Sequence, residues 1–269
     1  MKICGIDFTS RPKRSKPITC LCAYLDGNTL YAGELKKWTS FKEFESALQE
    51  PGPWIAGIDF PFGQSRTFIE NIDWPRSWAG YVEHVSRMSR LEFRQTLEEY
   101  KANRAPGDKE HKRQSDTKAA SISPQKIYGV PVGLMFFEGA PRLLKSGVTI
   151  PHLQEGDPQR IVVEAYPGVL ARSLIQRRSY KNDTRSKQTE EQLRARQDIL
   201  HRITSGALIE THNLNVSAPH SLADDPGADS LDALLCAIQA AWAWSKRDDG
   251  YGAPRDLDRL EGWIAAPGC

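Results

Sequence analysis

Gly5-Ile6-Asp7-Phe8 and Gly57-Ile58-Asp59-Phe60 are the same four residues, and each closes a short apolar run, 3–8 and 54–60. Turn-forming residues follow both: Thr9-Ser10-Arg11-Pro12 after the first and Pro61-Phe62-Gly63 after the second. Both runs therefore read as buried strands. Between them, 18–25 and 29–35 flank Asp26-Gly27-Asn28 and read as a hairpin. A helix follows, with Ser40 and Glu43 in capping-box spacing and Phe41, Phe44, Ala47 and Leu48 as its apolar stripe. A helix crossing between two strands makes them parallel. Alternation then puts Ile3, Gly5 and Asp7 on one face, and Ile55, Gly57 and Asp59 on the corresponding one. A glycine two residues before an acid leaves room for another backbone or a ligand. Ligands of open α/β sheets collect where the two acids lie, at the C-terminal ends of parallel strands.

Two more acidic positions join them. The apolar run 160–166, closed by Pro167-Gly168, carries Glu164, and a carboxylate there is costly unless it is paired or holds a metal. The segment 229–244 is apolar nearly all round, so it reads as a helix buried against the sheet. Asp229 and Asp232 open it at i, i+3 spacing, which puts both on one helix face. The plainer reading makes Asp229 an N-cap and Asp232 a partner of the helix dipole. Taken with the other acids, the set points to Mg²⁺ or Mn²⁺, one or two ions, because hard divalent cations take oxygen ligands. The expected metal ligands are Asp7, Asp59, Asp229 and Asp232. The expected catalytic set is Asp7, Asp59, Glu164 and Asp232.

Elsewhere, 78–101 reads as helical, 101–126 as a polar basic loop, and 189–203 as a helix with a second capping box at Thr189 and Gln192. Residues 128–144 mix Gly and Pro with apolar residues and carry no clear period. A chain of 269 residues, 39% hydrophobic and 26% charged, is ordinary for a globular α/β protein, read here as a single domain over 1–269. The net charge of +2 argues nothing for nucleic acid, but its distribution does. Residues 101–126 carry seven bases against three acids, 172–196 eight against three, and 224–269 four against nine. Basic stretches beside an acidic segment suit an anionic ligand held near metal-binding carboxylates. Arg113, Lys118, Arg177, Arg178 and Lys181 are the residues expected to hold a phosphate backbone. Five cysteines without C-x-x-C spacing read as free thiols, four of them in apolar runs. No signal-peptide h-region and no membrane-length apolar stretch are present, so a cytoplasmic protein that does not enter membranes is expected.

Gly-Ile-Asp on the first strand, Gly-Ile-Asp-Phe-Pro-Phe-Gly at 57–63, Glu-Ala-Tyr-Pro at 164–167 and Asp-Ser-Leu-Asp-Ala-Leu-Leu-Cys-Ala at 229–237 resemble domain-of-unknown-function family 429. That family is described as predicted nucleases of ribonuclease-H-like fold. The resemblance implies a mixed five-stranded sheet of order 3-2-1-4-5, with Asp7, Asp59 and Glu164 on consecutive central strands. The chain departs from that minimal fold in the stretch between strands four and five, where a large, mostly helical insertion at about 64–158 is expected. The Asp-x-x-Asp helix is similar to the acidic C-terminal helix of Holliday-junction resolvases. The implied activity is metal-dependent hydrolysis of phosphodiester bonds in DNA or RNA. Two other readings stand beside it. Residues 5–10 are similar to the first phosphate loop of actin-like ATPases and phosphotransferases, although Phe-Pro-Phe-Gly after Asp59 is not the second such loop they need. A catalytically silent nucleic-acid-binding or protein-binding domain is the third. The chain has no G-x-x-x-x-G-K-[ST], G-x-S-x-G or H-E-x-x-H segment.

Overall fold

The computed structural model describes residues 1–182 and 184–269. Strand β1 (Lys2–Asp7) is followed by the hairpin β2 (Ile18–Asp26) and β3 (Thr29–Trp38), then helix α1 (Phe41–Leu48) and β4 (Trp54–Asp59). Five helices come next: α2 (Arg66–Asn71), α3 (Trp78–Ser86), α4 (Arg90–Ala102), α5 (Gln114–Lys118) and α6 (Val132–Ser146). The chain continues through β5 (Val148–Thr149), β6 (Asp157–Ala165), α7 (Pro167–Ile175), α8 (Glu190–Thr204), α9 (Ile209–His212), β7 (Asn215–Ser217) and α10 (Asp229–Ser245). No helix among the described residues is long and apolar enough to cross a membrane.

The sheet is mixed, with seven strands in the order β5-β6-β4-β1-β2-β3-β7 rather than the five expected. The two additions are the short edge strands β5 and β7, of two and three residues, too brief to show any period in the sequence. β1 pairs in parallel with β4, and β4 with β6; β1 pairs antiparallel with β2, and β2 with β3. Helices cover both faces. Ile3, Leu21, Ile55, Ile161 and Val163 face one core with α7, α8 and α10. Ile6, Cys20, Ala56, Ile58 and Val162 face the other, with α1, α3, α4 and α6.

Helix α10 lies against the centre of the sheet because the two glycines of the repeated tetrapeptide admit it. A Cβ at Gly5 would stand 1.9 Å from the Ala233 carbonyl oxygen, and one at Gly57 would stand 2.3 Å from that of Cys236. The room beside the acids is thus filled by helix backbone. Leu231, Leu234, Leu235 and Ile238 are fully buried on α10, and each contributes roughly 1.5–3 kcal/mol by leaving water.

Three segments fold differently from what their local sequence predicts. Residues 78–101 form two helices, because Ser89 starts the second: its Oγ accepts from the Glu92 amide at 3.2 Å, and Glu92 Oε2 accepts from the Ser89 amide at 2.6 Å. Residues 132–146 form α6 despite Gly133, Gly139 and Pro141, and Gly147 closes it in the left-handed conformation at φ 69°. Residues 101–126 hold the short helix α5 and a fully buried arginine, Arg113, so they are not a solvated loop throughout.

Candidate functional site

Asp7 ends β1 and Asp59 ends β4, neighbouring parallel strands whose glycines stand in register, Gly5 against Gly57. Both acids lie on the face that α10 covers, as Ile3 and Ile55 do. Asp232, in the first turn of α10, has no exposed surface. Its Oδ1 accepts from the Tyr180 hydroxyl at 2.8 Å and its Oδ2 from the Lys181 ammonium. Asp229 Oδ1 accepts from Lys16 Nζ at 2.7 Å. Asp229 is not the helix cap. Ala228 holds that position at φ 62°, and Asp225 caps from outside, accepting from the Ser230 amide at 3.2 Å and the Gly227 amide at 3.1 Å.

Electrostatics bind these groups into one cluster. Burial pushes the Asp7 carboxyl well above its ordinary range; the negative Asp232 and Asp229 add to the rise, and Lys181 opposes it. Asp59 is pushed up to about 7 by burial, with Lys181 pulling down and Asp232 pushing up. Burial works against the Lys181 ammonium, yet Asp232, Tyr180, Asp7 and Asp59 together hold its pKa well above the usual lysine value. The carboxylates are not drawn tightly together. Among the described residues, the only potential ligand atoms found in a group of three within 4.8 Å of one another belong to cysteines elsewhere. Lys181 pairs with Asp232 instead and is within electrostatic reach of Asp7 and Asp59.

Glu164 is placed differently. Its register partner on β4 is Ile58, not Asp59, so alternation turns it to the opposite face from Asp7 and Asp59. There Arg113 meets it bidentately, at 2.7 Å to Oε2 and 2.5 Å to Oε1, and the Phe62 amide donates to Oε2 at 2.8 Å. Arg113 also holds Asp116 through two nitrogens, each at 2.9 Å. Burial pushes the Glu164 carboxyl up while Arg113 pulls it down. With both oxygens engaged, Glu164 anchors the segment carrying Arg113 to the sheet.

Arg113, only 1% exposed, is therefore a counter-ion to two buried acids and has no surface to offer a phosphate. The sequence could suggest this only through its i, i+3 spacing to Asp116. Lys181 stands among the carboxylates, and Arg178 is exposed but paired with Asp198 at 2.5 Å. Lys118 and Arg177 are exposed. The bases nearest the acids come from the loop after β1, which sequence reading treated only as a turn. Arg11, Lys13 and Lys16 line a cleft of about 810 Å³ together with Asp7, Asp59, Asp229 and Lys181. The available signal was four bases within six residues, Arg11 to Lys16, directly after the first acid.

The helical segment between β4 and β6 builds the opposite wall with Val130, Pro131 and Met135. It also tethers the basic loop: Arg90 donates to the Ser10 carbonyl at 2.8 Å and pairs with Glu138 at 2.6 Å. A second cavity of about 320 Å³ adjoins the first, sharing Asp59, Val130, Met135 and Lys181. Trp74 and Trp78 are buried and offer no stacking surface. Open to solvent, lined by acids and edged by bases, the cleft can admit a phosphate-bearing ligand and set it beside carboxylates short of positive partners.

One family model matches residues 5–258, nearly the whole chain, and its description is "Protein of unknown function (DUF429)". No curated protein and no solved structure matches the chain.

Proposed function

The chain belongs to the DUF429 family, and from that premise we propose that it is a divalent-metal-dependent nuclease, hydrolysing phosphodiester bonds of DNA or RNA at the cleft between β1, β4 and α10. The run β3-β2-β1-β4-β6 inside the larger sheet supports a ribonuclease-H-like core of order 3-2-1-4-5, with β5 and β7 added at its edges. The observation that carries the reading is charge. Asp7 and Asp59, from two strands, line one open cleft, and the fully buried Asp232 of α10 joins them through Lys181, which with Lys16 is the positive charge set against these acids. Buried carboxylates so placed are costly, and a bound cation relieves that cost.

The donor set fits Mg²⁺ or Mn²⁺, because it is carboxylate oxygen throughout, and the Lys181 ammonium stands in for positive charge. Asp7, Asp59 and Asp232 would hold the metal, with Asp229 able to join once Lys16 turns to a phosphate. A bound ion of this kind lowers the pKa of a coordinated water and neutralises charge on the leaving oxygen. The rest falls to the chain's own residues. Arg11, Lys13 and Lys16 attract and position the phosphate backbone. Lys181 neutralises Asp232 and, were Asp232 to hold a metal, would be free to donate to a phosphate oxygen.

The test runs single-stranded, duplex, hybrid and branched substrates with Mn²⁺, beside an ATP hydrolysis assay on the same preparation. The expected result is Mn²⁺-dependent cleavage of at least one nucleic acid, lost in Asp7→Asn. ATP turnover that depends on Asp7, with every nucleic acid intact, would favour the actin-like reading. Inactivity in both would favour a binding domain.

A further inference from the structure

On the sheet face opposite the acids, three cysteines converge. Cys4 of β1 stands directly across from Cys22 of β2, and Cys20 lies two residues along the same strand, so alternation turns all three to one side. Their sulfurs all lie within 4.8 Å of one another. Three sulfurs bound at 2.3 Å to a single ion stand roughly 3.8–4.0 Å apart, so small side-chain rotations complete the geometry. The sulfurs share a cavity of about 30 Å³, room for one ion or one water, whose lining includes Lys2, Lys36 and Glu50. Cys4 and Cys22 are half-buried and Cys20 is buried, which leaves a route in from solvent.

We infer that Cys4, Cys20 and Cys22 form a binding site for one thiophilic d¹⁰ cation, Zn²⁺ or Cu⁺, separate from the carboxylate cleft. Soft thiolates select such ions over Mg²⁺ and Mn²⁺. Binding forms three metal–sulfur bonds and releases to solvent the protons that the thiols still carry. Lys36 offsets the negative charge of a three-thiolate complex, and Lys2 does so in part, being already paired with Glu50 at 2.6 Å. The three thiols act on one another: hydrogen bonds from Cys20 and Cys4 hold the Cys22 thiol below its ordinary range, while the Cys20 and Cys4 thiols are held above theirs. Zn²⁺ would complete its shell with a water from the solvent side, where Cys4 and Cys22 are half-buried, whereas Cu⁺ is satisfied by three sulfurs.

Sequence spacing hides the site. Cys20 and Cys22 are separated by one residue, and Cys4 reaches them only through antiparallel pairing. The ion would clamp β1 to β2 on the side of the sheet away from Asp7.

The test uses the full chain, reduced and free of metal, titrated anaerobically with Zn²⁺ and separately with Cu⁺ against a chromophoric chelator. One equivalent should bind, with proton release. Bound ion should protect Cys4 and Cys22 from alkylation, mapped by mass spectrometry on the unaltered protein. Cys22→Ser and Cys4→Ser should each lower affinity at least a hundred-fold, while Cys269→Ser and Asp7→Asn retain it. Tight binding of neither ion, absence of alkylation protection, or unchanged affinity in both Cys22→Ser and Cys4→Ser would overturn the inference. Because Asp7→Asn removes the nuclease but not this site, failure here and failure of the nuclease reading are told apart.

Discussion

Glu164 and Asp59 sit one strand position out of step on neighbouring strands, and their surroundings differ completely. Glu164 is enclosed with its own cation, Arg113, which satisfies both its oxygens and those of Asp116. Asp59 has no such partner of its own: it shares the Lys181 ammonium with Asp7 and Asp232, and Lys16, which is paired with Asp229, acts on it more weakly. The first arrangement is closed and electrically complete, as structural ion pairs are. The second is open to a cleft and short of positive charge, as sites for added cations are. Burial alone does not separate a structural acid from a functional one, since both groups are shielded; the count of fixed counter-charges does.

The strongest way to break this contrast is to remove one acid from each side. Asp7→Asn should abolish Mn²⁺-dependent cleavage, by roughly a thousand-fold or more, because metal stabilisation of the transition state amounts to several kcal/mol. Glu164→Gln should leave measurable cleavage per folded molecule. If Glu164→Gln is as dead as Asp7→Asn while folded, the division between the two groups is wrong.

Stability should respond in reverse. Arg113→Ala strands Glu164 and Asp116 without their partner, and losing one member of a buried pair costs about 3–5 kcal/mol. Chemical denaturation should show that loss. Neutralising Asp59 should instead stabilise the metal-free protein. Asp59 is held at about 7, against an ordinary 3.8, so the fold keeps its proton more tightly than the unfolded chain does. Stability from this group is therefore full below about pH 4, falls as pH rises, and is lost above about pH 7. Asp59→Asn should match the parent near pH 4 and exceed it at pH 8 by on the order of 1–2 kcal/mol. Saturating Mn²⁺ should reverse that ranking, since the ion binds the folded parent. Melting curves with and without Mn²⁺ at both pH values check the sign.

The smallest effects belong to the surface bases. Lys13→Glu should weaken nucleic-acid binding and lower the salt slope by about one. Lys118→Ala, on an exposed helix end away from the lining of the acidic cleft, should change affinity less than two-fold, within the scatter of a single rim contact. Equal losses in both variants would move the nucleic-acid path off the loop after β1.

Much of this was legible along the chain. The paired Gly-Ile-Asp runs, the hairpin around Gly27 and the Ser40 and Thr189 helix starts are local patterns, and the structure has an element at each. The α10 segment was recognisable because a helix covered on nearly every side must be apolar nearly all round. The split at Ser89 was present in the capping spacing but masked by continuous helix-forming residues on either side. Helix α6 was hidden by its own glycines and proline, whose propensity cost tertiary packing overrides.

What the sequence determined by itself is therefore the set of elements and the acids that end or open them, since strand period, glycine spacing and caps act over a few residues. What only the tertiary structure decided is which charge meets which. Arg113 reaches Glu164 across 51 residues, Lys181 reaches Asp232 across 51, and Lys16 reaches Asp229 across 213. Strand register decided that Glu164 faces away from Asp59 and that Cys4 faces Cys22. Coulomb energy and donor geometry depend on distance in space, and residues far apart in the chain become neighbours only when the sheet and α10 have closed.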